Sequence, residues 1–261
     1  KYCFAHSVRC YVSPKISDII LMGSERIHLF DTPLLVSRNM GLAVDQRAAK
    51  RVMDILISGI GIIITSPIML IIAIAVKAYD RGPVFYFQDR LTLGGKPFKI
   101  CKFRSMCVDS EKNGARLASK HDSRITPVGH VLRNLHLDEL PQLFNVFKGD
   151  MSLVGPRPER ESIMLEYEKE LPEFYYRLKV KAGLTGYAQV YGKYNTTPYD
   201  KLKLDLFYIE NYSFLLDIKL IFMTVKIFFQ KEVSEGVDDR QVNALKDSGK
   251  NAGVSENKTE E

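Results

Sequence analysis

The 261-residue sequence has few cysteines, and none of them forms a metal-binding pair. Cys3, Cys10, Cys101 and Cys107 are scattered without a CxxC spacing, which excludes the common zinc motifs and a disulfide framework and predicts a reducing compartment. No charged stretch followed by an apolar segment and a cleavage site stands at the start, and the first residue is Lys1 rather than Met. We therefore expect the sequence to begin within a longer chain.

Common ligand-binding motifs are missing as well. His121, His130 and His136 show no HxxxH or HxH spacing, so we expect structural histidines rather than metal ligands. Gly94-Gly95 lacks the further glycines and the following helix of a Walker or dinucleotide-binding loop. The lysines are not gathered on one helix, which makes nucleic acid a poor partner.

The net charge of +6 conceals an uneven distribution. Residues 235–261 carry seven acidic and four basic side chains, so this tail is −3 and the remainder of the chain is +9. The tail also lacks aromatic residues and is predicted to be disordered. A basic body suits anionic lipid, nucleic acid or a phosphorylated substrate, and the charge alone does not choose among them.

One segment is strongly apolar: residues 55–76 contain no charged side chain. At about 1.5 Å per residue these 22 residues would form a helix of roughly 33 Å, enough to cross a hydrocarbon core of about 30 Å. The segment therefore predicts membrane contact. A buried core helix is the alternative, and it is disfavoured because such helices seldom run this long without an outward polar residue.

Ser66-Pro67 lies in the middle of this segment and predicts a helix break. Pro67 has no N–H to donate to the carbonyl of Ile63, and the Ser66 hydroxyl could satisfy a freed backbone group. A re-entrant helix-break-helix fits this kink better than a simple crossing, although both remain open. Positive charge flanks both ends and assigns no orientation: Arg47, Lys50 and Arg51 precede the segment, and Lys77 and Arg81 follow it.

The first 46 residues contain two short apolar runs, near residues 2–12 and 27–37, that predict strands. Turns are expected at Ser13-Pro14 and Met22-Gly23. The stretch is too short for a domain, and we interpret it as the end of an upstream α/β module plus a linker.

Aromatic-rich runs on either side of Gly94-Gly95 predict a β-hairpin with a two-residue turn. Alternation places Lys102 and Arg104 on one face of its second strand and Lys99 on the other, so positive charge is offered on both sides. Solvated lysines of an edge strand are the alternative interpretation.

Helices are predicted for most of the remaining sequence, which gives a mixed α/β fold that is mainly helical. Thr126 should cap a helix that starts at Pro127, and Asp138 should cap a second helix that ends before Gly149. A long amphipathic helix is expected over residues 159–180, bent or interrupted at Pro172. A largely apolar helix over residues 214–229 should lie in the membrane interface.

Adjacent carboxylates at Asp138 and Glu139 are the foremost candidates for chemistry. One could attack or accept charge while the other holds a divalent metal ion. The alternative is that both are ordinary helix-start residues. Pro156 and Pro158 stiffen the turn around Arg157, which would make that guanidinium a good phosphate ligand, although such a turn can also be a plain helix start.

Several strings in order resemble the bacterial sugar transferase family, the monotopic polyprenyl-phosphate phosphoglycosyl transferases. They are the Ser-Pro-broken apolar segment, GPVFYFQDR, KPFKICKFRSM, LRNLHLDELPQLFNVFKGDMSLVGPRPE and KAGLTGYAQV. The resemblance covers about residues 47–233. It implies a membrane-anchored catalytic domain over residues 47–234, preceded over residues 1–46 by the remnant of a module found in longer members.

The resemblance also implies an activity. Such an enzyme transfers a sugar 1-phosphate from a UDP-sugar to undecaprenyl phosphate on the cytoplasmic leaflet of the bacterial inner membrane, releases UMP, and starts a glycan of the exopolysaccharide, capsule or O-antigen type. Longer members imply a homodimer, and anionic membrane lipid is a further expected partner. The alternatives are a glycosyltransferase that releases UDP and a non-catalytic membrane scaffold.

By resemblance, Asp138 is the nucleophile, Glu139 binds Mg²⁺, and Ser66 and Pro67 form the break of the membrane helix. The charge on the phosphoryl oxygens must be neutralised, which requires cations near the attacking carboxylate. Substrate-side positions are expected at Arg133, Pro156, Arg157, Pro158 and Glu159, with Lys102 and Arg104 as further candidates.

Overall fold

A computed structural model describes residues 2–36, 43–108, 122–192 and 196–228. His121 and the predicted disordered tail lie outside these residues. Helices predominate among the described residues, together with three two-stranded sheets, so the prediction of a mixed, mainly helical fold is confirmed.

The N-terminal part forms two helices and a hairpin: α1 (Tyr2–Ala5), α2 (Ile16–Met22), β1 (Glu25–Leu29) and β2 (Thr32–Val36). The strand prediction for the second apolar run is confirmed. For the first run it is wrong, because a short apolar run does not distinguish a strand from a helical turn. Ile16 and Ile19 are buried in the main core. The domain boundary at residue 46 stays a prediction.

The apolar segment lies within one long helix, α3 (Val44–Asp80), of about 55 Å. The Ser66 hydroxyl donates to the carbonyl of Ile63 at 2.8 Å, so the predicted replacement of the hydrogen bond lost at Pro67 is confirmed. Among the described residues, α3 is the one helix long and apolar enough to cross a membrane. Only 17% of its 18-residue apolar stretch is buried in the protein, which disfavours a core helix. The helix continues through Pro67, and the re-entrant course stays a prediction.

The predicted hairpin consists of β3 (Phe85–Leu91) and β4 (Pro97–Phe103), paired antiparallel with Phe85 opposite Phe103. Gly94 and Gly95 have the expected positive φ values, 68° and 73°. The prediction of a two-residue turn is wrong, since the connection runs over residues 92–96 and is closed by a hydrogen bond from Thr92 N to Lys96 O.

Two short helices follow, α4 (Pro127–Asn134) and α5 (Gln142–Lys148), joined through the 3-10 turn Leu137–Glu139. Thr126 caps α4 as predicted, because its hydroxyl accepts from Gly129 N at 2.9 Å. The prediction that Asp138 caps the second helix is wrong. A capping carboxylate at Asp138 would accept from the N–H of residue 140 or 141, but Leu140 N bonds to Leu137 O and Pro141 has no N–H. The helix α5 begins only at Gln142.

The remaining chain surrounds a small parallel sheet of β5 (Ser152–Val154) and β6 (Gly183–Thr185). The amphipathic stretch between them is interrupted at Pro172 as expected, into α6 (Glu161–Glu170) and the 3-10 segment Pro172–Lys179. Three helices complete the described chain: α7 (Tyr187–Tyr191), α8 (Pro198–Glu210) and α9 (Phe214–Phe228).

Two apolar clusters hold these elements together. The larger one joins β3, β4, α5, β5, α8 and α9. The smaller one packs Met69, Ile72 and Val76 of α3 against Phe103 and Leu132. The apolar helix is therefore fixed to β4 and α4, and both of these elements contact the turn that carries the carboxylate pair.

Candidate active site

The carboxylate pair, Asp138 and Glu139, occupies the 3-10 turn between α4 and α5. His136 starts this turn in the left-handed conformation with a φ of 52°. Leu137 and Leu140 point into the smaller cluster against α3. These two leucines therefore pack the turn that carries the carboxylate pair against the apolar cluster around α3.

Glu139 is clamped by two cations. Its Oε1 atom accepts from Lys102 Nζ at 2.6 Å and from Arg157 Nη2 at 2.7 Å. Burial would raise the pKa of Glu139, but Arg157 and Lys102 outweigh burial and hold that pKa well below its ordinary value. Glu139 in turn raises the pKa of Arg157. The Glu139 carboxylate and the Arg157 guanidinium are therefore charged at neutral pH, and the hydrogen bonds fix the positions of all three side chains.

Asp138 lies in a different environment. It is 9% exposed, and the described residues give its carboxylate neither a hydrogen bond nor an ion pair. Burial raises the pKa of Asp138; Lys102 opposes this shift and Glu139 adds to it. Neighbouring carboxylates whose pKa values are pushed in opposite directions are typical of groups with separate roles.

Arg133 reaches the site because α4 approaches the end of β4 closely. Its Nε donates to Ser105 Oγ at 2.9 Å, and its charge opposes the rise that burial causes in the pKa of Asp138. A Cβ atom at Gly129 would lie 1.9 Å from the carbonyl oxygen of Ser105, so this approach requires glycine.

The turn that contains Arg157 is held rigidly along its backbone. Each of its four carbonyl oxygens accepts a hydrogen bond, and the donors belong to β6, to the 3-10 segment Pro172–Lys179 and, for two of them, to β3. In order from Pro156 to Glu159, the donors are Gly183 N at 2.9 Å, Arg177 Nη2 at 3.1 Å, Arg90 Nη1 at 3.0 Å and Leu91 N at 3.0 Å. Pro156 and Pro158 thus belong to a fixed support, and Arg157 projects from it to Glu139.

Glu159 points away from the carboxylate pair and anchors the turn. Its carboxylate pairs with Lys201, with Arg177 at 3.5 Å and with Arg90 at 3.8 Å. Burial would raise the pKa of Glu159, but Lys201 and Arg177 lower it to about 2. Arg177 also pairs with Asp205 at 2.7 Å, with both side chains almost fully buried.

Sequence reasoning missed this buried network of Arg90, Arg177, Lys201 and Asp205. No motif connects the four residues. The available signal was a charged residue inside an apolar helical run, as at Asp205 in the sequence LKLDLFYI.

Besides Glu159, three predicted residues, Arg104, Ser66 and Pro67, do not contact the carboxylate pair. The guanidinium of Arg104 makes a two-armed ion pair with Asp80 at the end of α3, and its Nε donates to the carbonyl of Pro83 at 2.6 Å. Ser66 and Pro67 lie in the middle of α3.

Whether the carboxylate pair suits Mg²⁺ depends on its available oxygens. The described residues contain no group of three His, Cys, Asp or Glu side chains that could hold a metal ion. Mg²⁺ is often bound by one or two carboxylates and completes its shell with phosphate oxygens and water. Because the described residues engage only Oε1 of Glu139, its Oε2 and the Asp138 carboxylate fit an ion of that kind.

Comparison with known proteins gives consistent matches. The family described as bacterial sugar transferase matches residues 45–231. The UDP-N-acetylgalactosamine-undecaprenyl-phosphate N-acetylgalactosaminephosphotransferase of Aeromonas hydrophila is 46% identical over 68% of this chain and 43% of its own length. The UDP-glucose:undecaprenyl-phosphate glucose-1-phosphate transferase of Klebsiella pneumoniae is 43% identical over 78% of this chain and 43% of its length.

A shorter relative matches over most of both chains. The UDP-glucose:undecaprenyl-phosphate glucose-1-phosphate transferase of Caulobacter vibrioides is 37% identical over 83% of this chain and 84% of its own length. By contrast, this chain spans less than half the length of the Aeromonas and Klebsiella relatives.

Proposed function

Because this chain belongs to the bacterial sugar transferase family, we propose that it transfers a sugar 1-phosphate from a UDP-sugar to undecaprenyl phosphate and releases UMP. The names of the relatives support this donor and acceptor. The observation that carries the proposal is the unequal carboxylate pair, in which Glu139 is clamped by two cations and Asp138 has no partner among the described residues.

In the proposed mechanism Asp138 is the nucleophile. One of its carboxylate oxygens attacks the phosphorus next to the sugar, a P–O bond forms, and the P–O bond to UMP breaks. A phosphate oxygen of undecaprenyl phosphate then attacks the same phosphorus and displaces the Asp138 carboxylate. In each displacement one P–O bond forms and one breaks, and neither attacking oxygen has to lose a proton.

The main obstacle to this chemistry is the repulsion between an attacking anion and a diphosphate. Arg157 and Lys102 already stand beside the carboxylate pair, and Arg133 approaches from α4, so positive charge is in place before the substrate binds. Glu139, with Asp138, would hold Mg²⁺, which when bound supplies further positive charge to the phosphoryl oxygens. Burial of Asp138 among these cations reduces the hydration that would otherwise shield its oxygens.

We further propose that both ends of α3 lie on the same face of the membrane. Near its start, Lys50 pairs with Asp217 of α9 at 2.5 Å. At its end, Asp80 pairs with Arg104, which follows β4. Both anchors belong to the unit that carries the carboxylate pair, which supports a re-entrant course. The catalytic unit would face the cytoplasm, where nucleotide sugars are made.

The test is a screen of UDP-sugars for UMP release. Purified protein is incubated with Mg²⁺, undecaprenyl phosphate and each UDP-sugar, and the nucleotide products are separated. We expect UMP from at least one donor, and a loss of roughly 10³-fold or more in Asp138→Asn. Asp89→Asn, an exposed strand position, serves as the matched control. UDP instead of UMP would indicate a glycosyltransferase, and the absence of any nucleotide product would favour a scaffold.

A further inference from the structure

A buried guanidinium fixes the Arg157 turn from behind. The side chain of Arg177 is 2% exposed, and its Nη2 lies 3.1 Å from the carbonyl oxygen of Arg157 and 2.7 Å from Oδ2 of Asp205. Its Nη1 lies 3.5 Å from Glu159 at the far end of the turn. A single side chain therefore connects two residues of the turn to α8, the helix that carries Asp205.

The pair of Arg177 and Asp205 is poorly explained by stability. Asp205 is 1% exposed, and taking both charges out of water is costly. Within the described residues, Nε of Arg177 and both carboxylate oxygens of Asp205 lack a well-aligned hydrogen bond although the two groups are close. Replacing a buried ion pair by apolar side chains of similar volume often leaves the stability of the folded protein unchanged or increases it. An apolar side chain could not donate to the carbonyl of Arg157.

The carbonyl contact acts on the residue whose side chain reaches the carboxylate pair. Arg157 is 45% exposed at its side chain and touches Glu139 at 2.7 Å, so its backbone is fixed from the core side and its guanidinium from the site. A displacement of about 1 Å in such a group can cost roughly 10²-fold in rate.

We infer that Arg177, held by Asp205, is a positioning residue that sets the direction in which Arg157 enters the carboxylate pair. This inference rests on the proposed function, in which Arg157 offsets charge on the diphosphate. Arg177 touches no reacting atom and acts through Arg157 alone. The chemistry required at position 177 is a planar donor that serves a carboxylate and a carbonyl together, which Lys does not provide.

The first experiment compares Arg177→Lys with the double variant Arg177→Met and Asp205→Leu. The double variant leaves no unpaired buried charge. It can therefore be assayed even if Arg177→Lys does not fold. We expect kcat for UMP release to fall roughly 10- to 100-fold in each, with a much smaller change in KM for the UDP-sugar. Lys203→Met with Asp200→Asn, which removes a pair 3.5 Å apart on α8, should keep the wild-type rate. A wild-type kcat in Arg177→Lys would overturn the inference.

The second experiment asks whether the effect passes through Arg157. In an Arg157→Ala background, adding Arg177→Lys should lower kcat by less than twofold, because the group being positioned is gone. A purely structural role would give the same fold loss in both backgrounds, and that result would overturn the inference.

A third measurement does not depend on activity. Phenylglyoxal modification of Arg157, mapped by peptide mass spectrometry, should increase in Arg177→Lys because the turn is no longer held. Unchanged modification would overturn the positioning role. If the wild-type protein released no UMP from any UDP-sugar, the proposed function would fail. The modification result would still show whether Arg177 holds Arg157 in position.

Discussion

The buried pair of Lys50 and Asp217 joins α3 to α9 and can be broken by one substitution. Lys50 Nζ lies 2.5 Å from Asp217 Oδ2, and the two side chains are 9% and 0% exposed. The hydroxyl of Tyr208 donates to the other oxygen of Asp217 at 2.7 Å. In Lys50→Met the shape is approximately kept, but Asp217 loses its cation and remains buried.

Removing one partner of a buried pair costs about 3–5 kcal/mol. For a domain of this size, such a loss lowers the melting temperature by roughly 10 °C. Burial raises the pKa of Asp217 and Lys50 opposes that rise, so the variant raises the pKa further. A carboxyl whose folded pKa is raised contributes stability below its unfolded pKa and loses it as the pH climbs through the folded value. The gap between the variant and the wild type should therefore widen with rising pH.

Scanning calorimetry of the purified protein in detergent measures this gap at several pH values above 4. Lys99→Met, an exposed lysine of β4, is the matched control and should melt like the wild type. Lys50→Met combined with Asp217→Leu should recover most of the lost stability, because no unpaired charge remains. A melting temperature for Lys50→Met within about 2 °C of the control, or a gap that does not change with pH, would show that this ion pair does not stabilise the fold.

Two more predictions concern α3. Single cysteines placed at the exposed positions Ala48 and Ala78 in a variant without the native cysteines should both react with an impermeant maleimide in inside-out vesicles and not in spheroplasts; labelling from opposite sides would contradict the re-entrant course. Ser66→Ala leaves the carbonyl of Ile63 without its donor and should cost about 1–3 kcal/mol, measured as a lower melting temperature in detergent. Adding Pro67→Ala restores an N–H and should recover that loss, and an unchanged single variant would contradict the role of the hydroxyl.

Local chemistry made part of this structure predictable. The uncharged run of residues 55–76 predicts apolar helical structure, Thr126-Pro127 predicts the start of another helix, and Gly94-Gly95 predicts a reversal with positive φ. Each of these features depends on a few neighbouring residues. The error at Asp138 has the same origin: the sequence shows a good capping residue, but Pro141 three positions later has no N–H for that residue to bind, and α5 begins only at Gln142.

The support of the site could not be predicted in this way. Arg177 and Asp205 are far apart in the sequence and meet only because α8 packs against the 3-10 segment that carries Arg177. Likewise, adjacency in the sequence does not reveal that Glu139 is clamped and Asp138 is not, because Lys102 and Arg157 arrive from β4 and from the turn after β5. Differences of this kind arise from tertiary packing, which no local pattern encodes.

Intact-protein mass spectrometry after incubation with a UDP-sugar and Mg²⁺, without lipid acceptor, tests the central role of Asp138 most directly. The proposed mechanism predicts a mass increase of one sugar phosphate, located on Asp138, that forms together with UMP and disappears once undecaprenyl phosphate is added. A rapid burst of product that requires the acceptor from the start, with no modified protein at any time, would contradict it.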